Sequence, residues 1–194
     1  MRGMKCPSCS GLLPTPEPRC PSCGLTLQKL DLKFGLVPRH SRFFSDRSGK
    51  LDVAQMEELR EELRLFERKF PQVLFSVFVT DLPPGSSVRE YGFWLANRAR
   101  FSTIQVSPGD NFDLLLVIDL AGNAASLTAS YGLEKYGSEE DLEDALAALA
   151  AGGRAGNVPD GIRACIKFVT RRWRERSKEV RRARATGTVE EMAA

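Results

Sequence analysis

The chain has 194 residues, 42% of them hydrophobic and 27% charged, with a formal net charge of +3. This is the composition of a globular protein with room for one sizeable core and a small appendage, which excludes a disordered or fibrous chain. The net charge is too small to imply a nucleic-acid partner by itself, and no apolar run is long enough to span a bilayer.

Four of the five cysteines fall in the first segment, "CPSCSGLLPTPEPRCPSCG". Cys6 and Cys9 form one Cys-x-x-Cys pair, Cys20 and Cys23 a second, with ten residues between them. Each pair predicts a tight knuckle aiming two thiolates at one point, and two knuckles supply the four soft ligands of a structural Zn²⁺. Pro7 and Pro21 fix φ inside the knuckles. Gly24 follows the last ligand, where a positive φ is required, and Ser10 holds the matching place in the first knuckle. Two disulfides are the competing reading. The segment is too short to bury a core, so metal binding would supply its folding energy. All four sulfurs would be used, which leaves no open position for catalysis. The opening residues lack an apolar signal core, and with reduced thiols this places the chain in the cytoplasm.

Residues 28–45 read as a connector with some extended character. His40, the only histidine, lies in it within "VPRHSRFF" and reads as a linker residue. An amphipathic helix follows over 51–70, with Met56, Leu59, Leu63, Phe66 and Phe70 on one stripe and Asp52 and Gln55 as a capping box. "QVLFSVFVT", 72–80, is apolar on both faces and predicts a central strand covered on both sides. After "DLPPGSS", Ser87 and Glu90 make a second capping box and open a helix to about Arg100. Val88, Tyr91 and Leu95 face inward on it, and Trp94 lies beside that stripe. "NFDLLLVIDL", 111–120, is a second buried strand, and "AGNA" turns it into a third, "ASLTASYGL". A helix starts at Ser138 and ends at Gly152-Gly153. The last begins near Asn157 to Pro159, with Ile162, Ile166, Val169 and Trp173 as its apolar stripe and Cys165 beside it as a buried thiol.

These elements predict an α/β fold, a central mixed sheet with helices on both faces, preceded by a small zinc ribbon. Strands 72–80 and 112–120 flank a helix and should be parallel. The domain reading is a ribbon over 1–27, the connector 28–45, an α/β domain over 46–173 and a basic helical extension or tail over 174–194. From Lys167 to Arg184 there are nine Lys/Arg against two Glu. That density suits phosphate, and Trp173 offers a stacking ring. A solvated helix extension and an acidic protein partner are the competing readings. The ribbon has no aromatic residue, which favours a docking handle over a nucleic-acid reader.

Three segments, "FSDRSGKLDVAQMEEL", "SVREYGFWLANR" and "GDNFDLLLVIDLAGNAASLTASYGLEK", resemble the TPM domain family, which includes the thylakoid lumen acid phosphatase of photosystem repair. The likeness runs from about residue 40 to 173. The family's Asn-Gly stands here as Asn111-Phe112, and the first Gly of its closing motif as Ser130. The resemblance implies the same mixed-sheet fold. Some members are acid phosphatases and some bind calcium, so it also implies a Ca²⁺ or other divalent-cation site at the matching positions Asp46, Asp110, Asn111 and Glu134. The predicted topology brings Asp110, Asn111 and Glu134 to one sheet edge and puts Asp46 at the other, beside Asp81 and Asp119. Solvated turn carboxylates are the alternative for all four. The functional expectation is a non-enzymatic adaptor acting through a protein partner. A divalent-metal-dependent phosphatase and a nucleic-acid-associated protein are the alternatives.

Overall fold

The computed structural model describes residues 4–13, 17–99, 112–133 and 137–185. They fall into two compact units, Met1–Gly132 and Leu133–Ala194.

The first unit opens with a two-stranded antiparallel ribbon, β1 (Met4–Lys5) and β2 (Leu12–Leu13). Then come α1 (Leu27–Phe34), β3 (Phe44–Asp46), α2 (Val53–Lys69), β4 (Leu74–Thr80), α3 (Val88–Arg98), β5 (Asp113–Asp119) and β6 (Ala124–Ala129). The sheet order is β3-β4-β5-β6. The first three strands are parallel and β6 is antiparallel to β5, so the fold is the α/β mixed sheet that the sequence predicts. Every residue of β4 is buried, as its two-sided apolar pattern requires.

The alternation along β4 sorts the helices. Leu74 and Phe78 share a core with Tyr91, Trp94 and Leu95 of α3 and Leu30 of α1. Phe75 points the other way and meets Phe66 of α2 edge-on at 5.3 Å. Helices therefore cover both faces. The α2 capping box forms as expected, with the Asp52 carboxylate accepting from Gln55 N at 2.8 Å and the Gln55 amide accepting from Asp52 N at 3.0 Å.

Two local expectations are corrected. The segment 28–45 is not simply extended, because it contains α1 and β3. Thr26 caps α1 by accepting from Lys29 N at 3.2 Å, and Gly35 ends it at φ 75°. β3 has three residues, too few to show an alternation; its pairing of Asp46 with Val79 shows its place only in three dimensions. The strand expected over 125–133 stops at Ala129, and the chain turns through a 3-10 segment at Tyr131–Leu133.

The second unit is a helix pair, α4 (Glu139–Gly152) and α5 (Val158–Ala185). Gly152 and Gly161 permit their close approach, since a Cβ on Gly152 would sit 2.6 Å from the Ala164 Cβ. Ile162, Cys165, Ile166, Val169 and Trp173 are buried along α5, which makes Trp173 a core residue. The segment from 174 onward is not separate: α5 runs unbroken through it to Ala185. Asp141 is 5% exposed. Its carboxylate accepts from Arg172 Nε at 2.6 Å, Arg176 at 2.8 Å and Ser138 N at 2.8 Å.

Candidate metal centre

The two knuckles are built alike. In the first, Ser10 N donates to Cys6 O at 3.0 Å and Cys6 N to Gly11 O at 2.9 Å. In the second, Gly24 N donates to Cys20 O at 2.9 Å and Cys20 N to Leu25 O at 2.9 Å. Both turns require a left-handed residue, and Ser10 (φ 60°) and Gly24 (φ 70°) supply it. The turns expose backbone N–H groups toward the sulfurs, which favours thiolate. The Cys23 N–H, helped by that of Ser22, brings the Cys20 thiol down to about 6 against the opposing effect of burial. At Cys6 burial dominates and pushes the thiol up.

The four sulfurs all lie within 4.8 Å of one another. Cys6 and Cys23 Sγ are 3.7 Å apart, and Cys9 and Cys20 Sγ 3.8 Å. A disulfide needs about 2.05 Å, and all five cysteines are free. Four thiolates at about 2.3 Å around a tetrahedral ion stand roughly 3.8 Å apart. The cluster thus has the donor set, size and shape for a closed four-coordinate ion such as zinc. Cys6 and Cys20 are buried, whereas Cys9 and Cys23 face solvent.

The ribbon is fastened to the sheet unit by residues that periodicity does not mark. Arg89, at the start of α3, donates to Ser10 Oγ at 3.0 Å and to Cys6 O at 3.4 Å. Leu25 packs on both the ribbon's small core and the core under α3. The sequence pairs Glu90 with Ser87 in a capping box, and the structure corrects half of it. Ser87 does accept from Glu90 N, but the Glu90 carboxylate instead takes Lys33 Nζ of α1 at 2.6 Å. Asp31 of α1 accepts from the buried Trp94 indole at 3.0 Å and from Arg98 at 2.6 Å. The signal that would have found α1 is Thr26, then Leu27, Leu30 and Phe34 at helical spacing, then Gly35.

Of the acidic positions, Asp110, Asn111 and Glu134 lie outside the described residues. Asp46 stands at the carboxyl end of β3, the same end of the sheet as Asp81 and Asp119, as its chain position implied. Its Oδ1 accepts from Ser48 N, Ser48 Oγ and Gly49 N at 2.6 to 3.1 Å, and its Oδ2 from Leu51 N at 3.0 Å. Burial opposes the charge, but these donors outweigh it and hold the carboxyl below its usual range. Asp81 pairs with Lys50 at 2.9 Å, and Asp119 accepts from Leu82 N at 2.9 Å. Among the described residues, the cysteines are the only group with metal-ligand proximity. His40 stays away from them, its Nδ1 3.1 Å from Pro38 O. Cys165 belongs to the helix pair, in α5, and its thiol is pushed up to about 12 by burial.

No family model matches the chain. No curated protein matches it either. Solved structures that share the fold include the following two. The N-terminal domain of a P. gingivalis protein superposes with a TM-score of 0.57 at 23% identity, over 68% of this chain and 81% of that one. The BA42 protein of the psychrophilic bacterium Bizionia argentinensis superposes with a TM-score of 0.55 at 10% identity, over 68% of this chain and 86% of its own. No helix among the described residues is long and apolar enough to cross a membrane.

Proposed function

We propose that the protein is a non-enzymatic binding module, in which a structural zinc ribbon is fixed to a TPM-like α/β unit and works through a protein partner in the cytoplasm. The observation that carries this reading is the closed cluster of Cys6, Cys9, Cys20 and Cys23, which spends every ligand position on protein sulfur. Such a site holds a shape and performs no chemistry. Zinc is the ion that four thiolates in knuckles most often select, and reduced thiolates suit a reducing compartment. The three motif segments, together with the mixed sheet that the resemblance implies, support the TPM-like assignment.

The side that meets the partner is α1 with the turn at its carboxyl end. Leu32 is 88% exposed and Leu36 94%, unusual for leucines on a segment whose inner face is anchored. A TPM-type phosphatase dependent on Ca²⁺ or another divalent cation is the alternative that the resemblance raises. The binding reading is favoured because both Asp46 oxygens already serve their own loop.

The test compares the zinc-loaded chain with a Leu32→Glu/Leu36→Glu variant. Both positions are solvent-exposed, so the variant should keep its circular dichroism and melting temperature. Quantitative co-purification should show a stoichiometric protein bound to the wild type and lost from the variant. Identical partners for both, or phosphomonoester hydrolysis that depends on added Ca²⁺ or Mg²⁺, would reject the reading.

A further inference from the structure

The nine cations between Lys167 and Arg184 do not act alike once α5 is folded. Arg172 and Arg176 turn to the buried carboxylate of Asp141. Glu175 turns toward Arg172 at 3.6 Å. Lys167, Arg171, Arg174 and Lys178 are exposed. At 3.6 residues per turn these four share an arc of about 60°, and at 1.5 Å per residue they form a straight row about 16 Å long. The row lies on the far side of the helix from buried Ile162, Ile166, Val169 and Trp173. Among the described residues none of the four makes an ion pair, and Arg171 only stacks on Phe168 at 5.5 Å.

We propose that this row is a docking surface for the phosphate backbone of double-stranded DNA, bound without regard to sequence. Charge complementarity with a regular polyanion is the first argument: a row of four cations on one helix face, with no ion pair among the described residues, suits a strand that carries a phosphate about every 3.4 Å. The row has no exposed apolar residue to enter a bilayer, which disfavours a lipid surface. Trp173 is buried, so no base can stack on it, which disfavours single strands. An exposed helix enters the wide major groove of B-form DNA but not the deep, narrow one of double-stranded RNA. The inference goes beyond the protein-partner reading and uses a different surface.

The test is fluorescence anisotropy of the zinc-loaded full chain with a duplex DNA of mixed sequence. Four phosphate contacts give a slope of log affinity on log salt of about −3.6, a loss of about 10²-fold between 50 and 200 mM. Neutralising the row (Lys167→Gln, Arg171→Gln, Arg174→Gln, Lys178→Gln) should abolish binding at 150 mM salt and leave the melting temperature unchanged. A control that removes four charges from α2 (Arg60→Gln, Arg64→Gln, Arg68→Gln, Lys69→Gln) should keep the affinity within about threefold. The wild-type salt slope stands even if a variant folds poorly. The proposal is overturned by any of four results: no binding at 50 mM salt, equal loss in both variants, tighter binding to single strands, or tighter binding to vesicles containing anionic lipid.

Discussion

Replacing Asp141 by Asn perturbs one buried carboxylate and reports on how α5 is held. Asp141 accepts two guanidinium bonds, from Arg172 and Arg176, and closes a capping box with Ser138. Asn keeps the shape and, with its oxygen in the place of Oδ2, still accepts from Ser138 N and Arg176, but its NH2 then faces the Arg172 donor and that bond is lost. It loses the charge, and hydrogen bonds between ions are roughly twice as strong as neutral ones. With the Arg172 bond lost and the Arg176 bond weakened, at about 1–1.5 kcal/mol each, the loss is about 2–3 kcal/mol. The upper range for breaking buried pairs does not apply, because Arg172 and Arg176 are 40% and 36% exposed and regain water. In a chain of this length, that lowers the melting temperature by roughly 4–12 °C. The pH dependence gives a second check. Burial opposes the Asp141 charge, but Ser138 N and the two arginines outweigh it and hold the carboxyl well below its usual range. Its stabilisation is therefore complete above the unfolded value of about 3.9 and is lost as pH falls below that. Urea unfolding of both proteins should show the full gap at pH 6 and a shrinking gap toward pH 2. An Asn variant as stable as the wild type at pH 6, or a gap that does not shrink in acid, would refute the reasoning.

Trp173→Ala empties a buried site on α5 and should cost about 3–5 kcal/mol in denaturant unfolding. Deleting 174–194 should also destabilise the chain, because Arg176 goes with it. Gly24→Ala forces a Cβ onto φ 70° and toward the Arg19 guanidinium. It should weaken metal retention in a competitive chelator titration while Gly49→Ala, which meets nothing within 4 Å, leaves retention unchanged. Cys165 has its thiol raised to about 12 by burial, so at pH 8 it is neutral. A thiol reagent should therefore modify four cysteines of the folded metal-free protein and the fifth only on unfolding.

The parts of the fold that announced themselves are those with a period. The two-sided apolar run of β4, the α2 stripe with its Asp52 cap, the β5–β6 hairpin and the α5 stripe ending at Trp173 all follow from spacing. So does the metal centre, because Cys-x-x-Cys fixes its own local geometry and needs little help from the rest of the chain. What stayed hidden depends on partners distant in sequence. β3 is too short to alternate, and only its pairing with β4 makes it a strand. Spacing pairs Glu90 with Ser87 alone, but its carboxylate goes to Lys33, 57 positions away in the chain. The nine clustered cations look uniform until Asp141 takes two of them. The helix α1 is legible in its Thr26 cap and Gly35 stop, but it is only eight residues long, too short for a sustained stripe.

The proposed role of the ribbon depends on a closed tetrathiolate zinc site that serves as structure. X-ray absorption on the protein purified under reducing conditions, with elemental analysis of the same sample, tests it most directly. The expected result is one zinc per chain with four sulfur neighbours at about 2.3 Å and no light-atom ligand. A metal-free chain with paired disulfides, or a bound ion with oxygen or nitrogen in its first shell, would contradict it.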